Sequence, residues 1–456
     1  MSERFFRFEC EGAGIYEAVD KHCPRDDDRR GSKPDGSWVP KAGTDFPGAK
    51  SFWTQKGLKR YEESGLRDWH LSVVAGETRM NIVERPSEVL YEDEWQIVAS
   101  PDQVDIRRSY LIDYCGPRPF KKAEDERPRF IRHHNTVRDW CTYSSYPQSE
   151  EMFSYYAGLG AKLGLERVAV NHEVLQPGRR SSWPHAHKIE EEMVYVLKGK
   201  PQMWIHGKLY EAKPGDLFYY PAAKGHAHTV VNNTDEDVEV MVLGEQNAEP
   251  DWIIYPMHPE REQECKDKGW YWDDPPPLAM GTNSGAPGDL SDVATERFEH
   301  SVNIADMEPE NMGGPDNDLQ VFYKDRDLSR KLSSPKLAFH HVTLVNGYRS
   351  SLPHAESQEE EFVYVLKGNP IAWVNGKRFP LKEGESVAFP AGTGIAHTFL
   401  NESGHDVDLL VIGERTKDNN LCSFPVNPEE KEFCKIWWDD PPPQEIGPDS
   451  PIPGGK

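Results

Sequence analysis

The chain has 456 residues, 77 acidic against 53 basic, and a formal charge of −24, which disfavours nucleic acid or anionic membrane as a main partner. No run reaches the roughly 18 apolar residues that a membrane-crossing helix needs, and the opening stretch has no apolar run of signal-peptide length. The seven cysteines are scattered without a CxxC spacing, as expected of free thiols in a reducing, cytoplasmic setting.

Residues 1–105 are expected to form a small α/β domain of unassigned role. Segment 50–74 has helical periodicity in its middle, and 78–100 reads as short strands interrupted at Pro86. Trp69 and His70 read as the edge of a core, and Asp26–Arg30 as a solvated loop. Residues 106–164 are expected to be a connector, with Pro117, Pro119 and Pro128, followed by the leading strands of the next domain.

The rest of the chain is a duplication. SWPHAHKIEEEMVYVLKG at 182–199 returns as SLPHAESQEEEFVYVLKG at 351–368, a shift of 169 positions. His185 maps to His354, Glu192 to Glu361, Gly199 to Gly368, Gly215 to Gly384, Pro221 to Pro390, His228 to His397, Asn232 to Asn401 and Cys265 to Cys434. The copies span 165–280 and 335–445. Each alternates apolar and polar residues, with Gly, Pro and Asn punctuation at roughly 8–12-residue spacing, the pattern of an all-β sandwich or barrel. Asn375–Gly376 marks a tight hairpin. Each copy ends in a tail of tryptophans and a triple proline, read as an extended segment packed by its aromatic rings. Cys265 and Cys434 read as small buried residues. Residues 281–334 hold a Gly/Ser/Asn/Asp-rich linker at 281–292 and leading strands, and 446–456 read as a disordered tail.

Within the first copy, His185 and His187 lie two apart in a strand, so both point to one face. Glu192 follows early in the next apolar run, and His228 comes from a distant strand. Three imidazole nitrogens and one carboxylate oxygen suit a divalent transition metal: iron, manganese, copper, nickel or zinc. The second copy offers His354, Glu361 and His397, but Glu356 replaces the second histidine. His226, two before His228, is a candidate acid–base residue or substrate contact; the second copy has Ile395 there. Arg180 and Arg349 recur before the ligand strand. They are read either as contacts for a substrate carboxylate or as ion pairs to the Glu190–Glu192 and Glu359–Glu361 runs. Glu190 and Glu191 read as solvated or salt-bridged. Trp183/Leu352 and Tyr220/Phe389 are candidate pocket liners or core.

These residues resemble the two cupin motifs. The first, G-x5-HxH-x3,4-E-x6-G, is matched by Gly178, His185, His187, Glu192 and Gly199, with one extra residue after Gly178. The second, G-x5-PxG-x2-H-x3-N, is matched by Gly215, Pro221, His228 and Asn232, with Ala223 in place of the glycine and two extra residues between proline and histidine. The resemblance covers about half the chain. It implies a bicupin: a mainly β protein of two tandem β-barrels of the double-stranded β-helix or jelly-roll type, preceded by the small α/β domain. It also implies that His185, His187, Glu192 and His228 are metal ligands. His354, Glu356, Glu361 and His397 would form an altered centre in the second copy.

Function stays open among three classes, because fold alone does not fix it. An oxidoreductase of dioxygenase type acting on a small organic molecule at the first copy is placed first. A non-redox decarboxylase, isomerase or lyase and a non-catalytic binding or structural module follow. The expected partner is a small-molecule substrate, with homo-oligomer formation allowed.

Overall fold

The computed structural model describes residues 4–10, 12–22, 46, 48–63, 67, 70–71, 74, 78–100, 106–112, 128, 130–137, 151, 153–246, 251–315 and 318–455. The Asp26–Arg30 run and Trp69 lie outside them. The chain divides into one unit of residues 1–126 with 135–143, and a second of 127–134 with 144–456. Among the described residues no helix is long and apolar enough to cross a membrane.

The first unit is a seven-stranded sheet in the order Val89–Glu92, Gln96–Ala99, Lys50–Trp53, Arg4–Cys10, Thr78–Glu84, Ile106–Ile112, with Ala13–Gly14 also paired to Arg4–Cys10. Alternation along Arg4–Cys10 divides its side chains between two faces. Phe5 joins Phe52, Val83, Ile97 and Ala99 in one core, whereas Phe8 meets Tyr61 of helix Gln55–Glu63 at 5.7 Å between ring centres. His70 is buried, as its place at a core edge requires. The boundary expected at 105 is corrected: Ile106–Ile112 pairs along Thr78–Glu84, so the unit includes the strand assigned to the connector.

Both copies lie in the second unit, and each is two facing sheets. In the first copy one sheet runs Ser301–Asn303, Asp216–Tyr220, Glu192–Lys198, Val238–Glu245, Val168–Leu175, Tyr155–Gly158; the other runs Arg179–Arg180, His228–Asn232, Gln202–Ile205, Lys208–Glu211. Val194, Phe218 and Val240 of the former pack with Met203, Ile205 and Val230 of the latter. This is the expected mainly β, jelly-roll architecture. The second copy repeats it with a sheet centred on Leu337–Leu344, Val407–Glu414, Glu361–Lys367 and Glu385–Phe389, facing Lys377–Pro380, Ile371–Val374 and His397–Leu400.

The two copies exchange their leading strands. Ile131–His133, which precedes the first copy, pairs with Glu385–Phe389 of the second. Ser301–Asn303, which precedes the second, pairs with Asp216–Tyr220 of the first. Two buried glutamates tie the copies together. Glu360 accepts from the backbone amides of Glu166, Arg167 and Val168 at 2.9, 2.9 and 3.0 Å. Glu191 accepts from Ser334 Oγ at 2.8 Å and Tyr219 Oη at 2.6 Å. The solvated or ion-paired role expected of Glu191 is thereby corrected; it is 2 % exposed.

The Asn375–Gly376 turn forms as expected, with φ of 46° and 75°, between Ile371–Val374 and Lys377–Pro380. Gly376 is required twice over, since a Cβ there would meet Gly447 at 2.1 Å. That contact belongs to the segment expected to be a disordered tail. Instead, Asp449 O accepts from Trp373 Nε1 at 2.7 Å and Asp449 Oδ2 from the Arg378 amide at 3.0 Å. Linker 281–292 covers the first copy's hairpin likewise, with Asn283 O accepting from Trp204 Nε1 at 3.0 Å. The tails carry more structure than an extended segment: Ile253–Ile254 is a strand and Pro259–Lys268 a helix. Cys265 is buried as expected, and Cys434 is half-buried.

Candidate metal centres

The His185–His187 segment is clipped on both sides. His185 and His228 exchange backbone hydrogen bonds of 3.3 and 2.9 Å, and Ala186–His187 pairs with Ile253–Ile254 of the tail. Strand alternation then sends both imidazoles to the face where Glu192 opens its strand opposite Tyr220. One donor atom from each of His185, His187 and Glu192 lies within 4.8 Å of the others. The Nε2 atoms of His185, His187 and His228 stand 4.0, 3.4 and 2.9 Å from Glu192 carboxylate oxygens.

The other ring nitrogens set the tautomers. His185 Nδ1 lies 2.8 Å from Trp183 O and His228 Nδ1 2.9 Å from His226 O. A carbonyl oxygen only accepts, so each Nδ1 carries the proton and each Nε2 presents its lone pair inward. His187 Nδ1 lies 2.5 Å from Asp251 Oδ2, and Asp251 is held by the Ile189 amide at 2.9 Å. His187 Nε2 is buried and makes no hydrogen bond. Tyr220 stacks on His228 at 3.5 Å between ring centres and an interplanar angle of 1°.

The electrostatics call for positive charge at this point. Burial and the neighbouring His187 and His228 push His185 down to about 3, so its ring is neutral. Burial opposes charge on His187, but Asp251 and Glu192 outweigh it and raise the group to about 10. Glu192 is buried too, yet His228 and His187 hold its carboxyl well below the usual range. Asp251 and Glu192 thus place negative charge on both sides of the His187 ring. Three convergent nitrogens, one carboxylate and an unbonded buried Nε2 fit a divalent transition metal.

The second copy keeps most of this frame. His354, Glu361 and His397 bring donor atoms within 4.8 Å of one another. His354 Nδ1 lies 2.9 Å from Leu352 O, and His397 Nε2 lies 3.2 Å from Glu361 Oε1. Phe389 stacks on His397 at 3.5 Å. Glu356 stands where the first copy has His187, and its Oε1 accepts from Asn420 Nδ2 at 3.2 Å. Burial, then Glu361 and Glu359, push Glu356 up to about 8.

Other expected site residues are placed elsewhere. Arg180 is buried and donates to Glu151 at 2.7 and 2.8 Å and to Gly285 O at 2.9 Å. Its ion pair is therefore with Glu151, not the Glu190–Glu192 run. Arg349 donates to Leu319 O at 2.8 Å. Trp183 stacks on His258 at 4.2 Å and donates to Glu151 at 2.9 Å. His226 is grouped with Glu299 and His300, and burial, then His300, lower it to about 4. Asp251 and Asn420 were missed in the sequence. Their signal was the repeat itself, since they occupy equivalent positions and change in step with His187 and Glu356.

The cupin domain family matches residues 171–244 and 340–413. Two segments of the chain thus match the cupin domain in tandem, as the bicupin resemblance implies, and a further unit precedes them. No curated protein matches it. Solved structures similar to it include a point variant of Bacillus subtilis oxalate decarboxylase, at 18 % identity over 64 % of this chain and 78 % of that one, with a TM-score of 0.42. A Lactobacillus farciminis oxalate decarboxylase formate complex is 12 % identical over 65 % and 89 %, with a TM-score of 0.41. The Escherichia coli protein YlbA is 14 % identical over 63 % and 91 %, with a TM-score of 0.39. These likenesses concern the fold alone.

Proposed function

We propose that the first copy is the centre of a metal-dependent enzyme that acts on a small organic acid without net redox change, as a decarboxylase or lyase. The observation that supports this is the convergence of His185, His187, Glu192 and His228, with Nε2 lone pairs of His185 and His228 fixed inward by backbone carbonyls. A divalent ion held by those four would keep one net positive charge and open positions, which favours an anionic ligand. When bound, such an ion supplies a Lewis acid that polarises a carboxylate or carbonyl.

The chain's own residues do the rest. Asp251 holds His187 in orientation through Nδ1, and Tyr220 braces His228 by stacking. Burial of Tyr220 keeps bulk water from one side of the centre. The oxidoreductase placed first by sequence shares these donors, but no further observation favours it over the non-redox reading.

The test is elemental analysis of the whole chain beside His185→Ala and His354→Ala, with turnover of a panel of small carboxylic acids followed by carbon dioxide release and oxygen uptake. Carbon dioxide or elimination product without oxygen consumption, lost in His185→Ala, is expected. Stoichiometric oxygen uptake would replace this reading with the oxidoreductase. Wild-type protein that binds no metal would overturn both.

A further inference from the structure

Outside both centres, the first copy gathers a second set of donors. His226 lies in the loop between Asp216–Tyr220 and His228–Asn232, while Glu299 and His300 lie just before the exchanged strand Ser301–Asn303. One donor atom from each of the three lies within 4.8 Å of the others. The strand fixes their approach: the Tyr219 amide donates to His300 O at 2.9 Å, extending the ladder from Phe218 and Ser301. Phe298 anchors the same segment in the first copy's core, with the His226 ring 5.5 Å from it and 5.7 Å from that of His300.

The duplication provides an internal control. The second copy builds the same loop and the same exchanged strand, yet it has Ile395 at the place of His226. Along its exchanged strand, where Glu385 pairs with His133 as Asp216 does with Asn303, Phe130 takes the place of His300. Phe130 there packs edge-on to Phe379 at 5.2 Å. The jelly-roll therefore closes without a histidine at either of these positions, so folding alone does not account for the His226–His300 pair in the first copy.

We infer that His226, His300 and Glu299 form a separate tetrahedral metal site, taking zinc with a water as fourth ligand, that staples the exchanged strand to the loop leading into His228. Two imidazole nitrogens and one carboxylate oxygen are a sufficient protein set for zinc. The two sites are mechanically joined, because His226 O receives the Nδ1 proton of His228. An ion on the His226 ring fixes the backbone that orients His228. This inference does not rest on the proposed activity.

The experiment uses the full chain carrying both His185→Ala and His354→Ala, which disables the two cupin centres. Cobalt(II) and zinc(II) salts alone are the probes, read by equilibrium dialysis, by the visible spectrum of tetrahedral cobalt and by thermal unfolding. One ion per chain is expected, with a tetrahedral cobalt spectrum and a raised Tm. Both are lost on adding His300→Ala, and binding is weakened on adding Glu299→Gln. Glu299 is exposed, so that variant tests the site even if removing His300 unfolds the copy. Absence of a bound ion, an octahedral cobalt spectrum, or an ion indifferent to both added substitutions would overturn the inference.

Discussion

Asp251 Oδ2 lies 2.5 Å from His187 Nδ1, and at the equivalent place in the second copy Asn420 Nδ2 donates to Glu356 Oε1 at 3.2 Å. The two pairs are complementary in opposite senses. A carboxylate accepts from an imidazole N–H in one; an amide donates to a carboxylate in the other. Asp251→Asn removes the charge that holds His187 and leaves its tautomer free. Outer partners of metal-binding histidines are worth about 10–100-fold in affinity, so a loss of that size at the first centre is expected, with the second unchanged. Metal content after competition with a chelator, compared across Asp251→Asn and wild type, measures it.

Glu360 offers a stability test independent of metal. Its carboxylate takes three backbone N–H groups from the start of the first copy, and it is 3 % exposed. Glu360→Ala leaves those donors buried and unpaired, which costs about 3–5 kcal/mol where a buried charged partner is removed. The exposed Glu236→Ala should fall within about 0.5 kcal/mol of wild type. Urea unfolding of the two variants separates these outcomes; equal stabilities would show that Glu360 does not bind the copies together.

The ligand frame was legible because duplication preserves spacing: His185, Glu192 and His228 recur at His354, Glu361 and His397, so pattern alone separates them from other histidines. Strand alternation explained why His185 and His187 share a face. What the sequence hid was long-range partnership. Arg180 stands beside the Glu190–Glu192 run in sequence, yet folding brings it to Glu151. Glu191 looks like a surface charge until the copies pack against it. The tail at 446–455 reads as disordered from its Gly and Pro content, but Trp373 and Arg378 supply donors that fix it. Exchange of leading strands also leaves no trace in local pattern, because the paired residues, His133 with Glu385 and Asp216 with Asn303, lie far apart in the chain.

The N-terminal unit should be acid-sensitive through His70. This ring is buried, its Nδ1 lies 2.6 Å from Tyr61 Oη, and burial lowers it from 6.5 to about 3. The folded state therefore binds fewer protons than the unfolded chain between those values. Stability is full above about pH 6.5 and falls as pH drops towards 3, by up to about 1.4 kcal/mol per pH unit. His70→Gln removes this dependence. Urea midpoints of the N-terminal transition at pH 7 and pH 5 should converge in the variant and differ in wild type.

Converting the second centre into the first needs two changes. Glu356→His alone restores a third imidazole, but its Nδ1 then faces Asn420, whose amide carries no charge to hold a donated proton. Adding Asn420→Asp supplies the carboxylate that Asp251 provides to His187. The burial and the like charge of Glu361 and Glu359, which raise Glu356 to about 8, no longer act on a carboxylate once it is replaced. The double variant should therefore bind nitrogen-preferring ions such as zinc or copper more tightly than either single variant, by about 10–100-fold over Glu356→His. Asn420→Asp by itself sets a new carboxylate against Glu356 and should raise that group's proton affinity further, making metal uptake by the second centre more strongly dependent on pH. Competitive titration of zinc and manganese into the three variants, in a chain whose first centre carries His185→Ala, distinguishes them. Equal affinities in the single and double variants would mean that Asn420 does not govern the ligand at position 356.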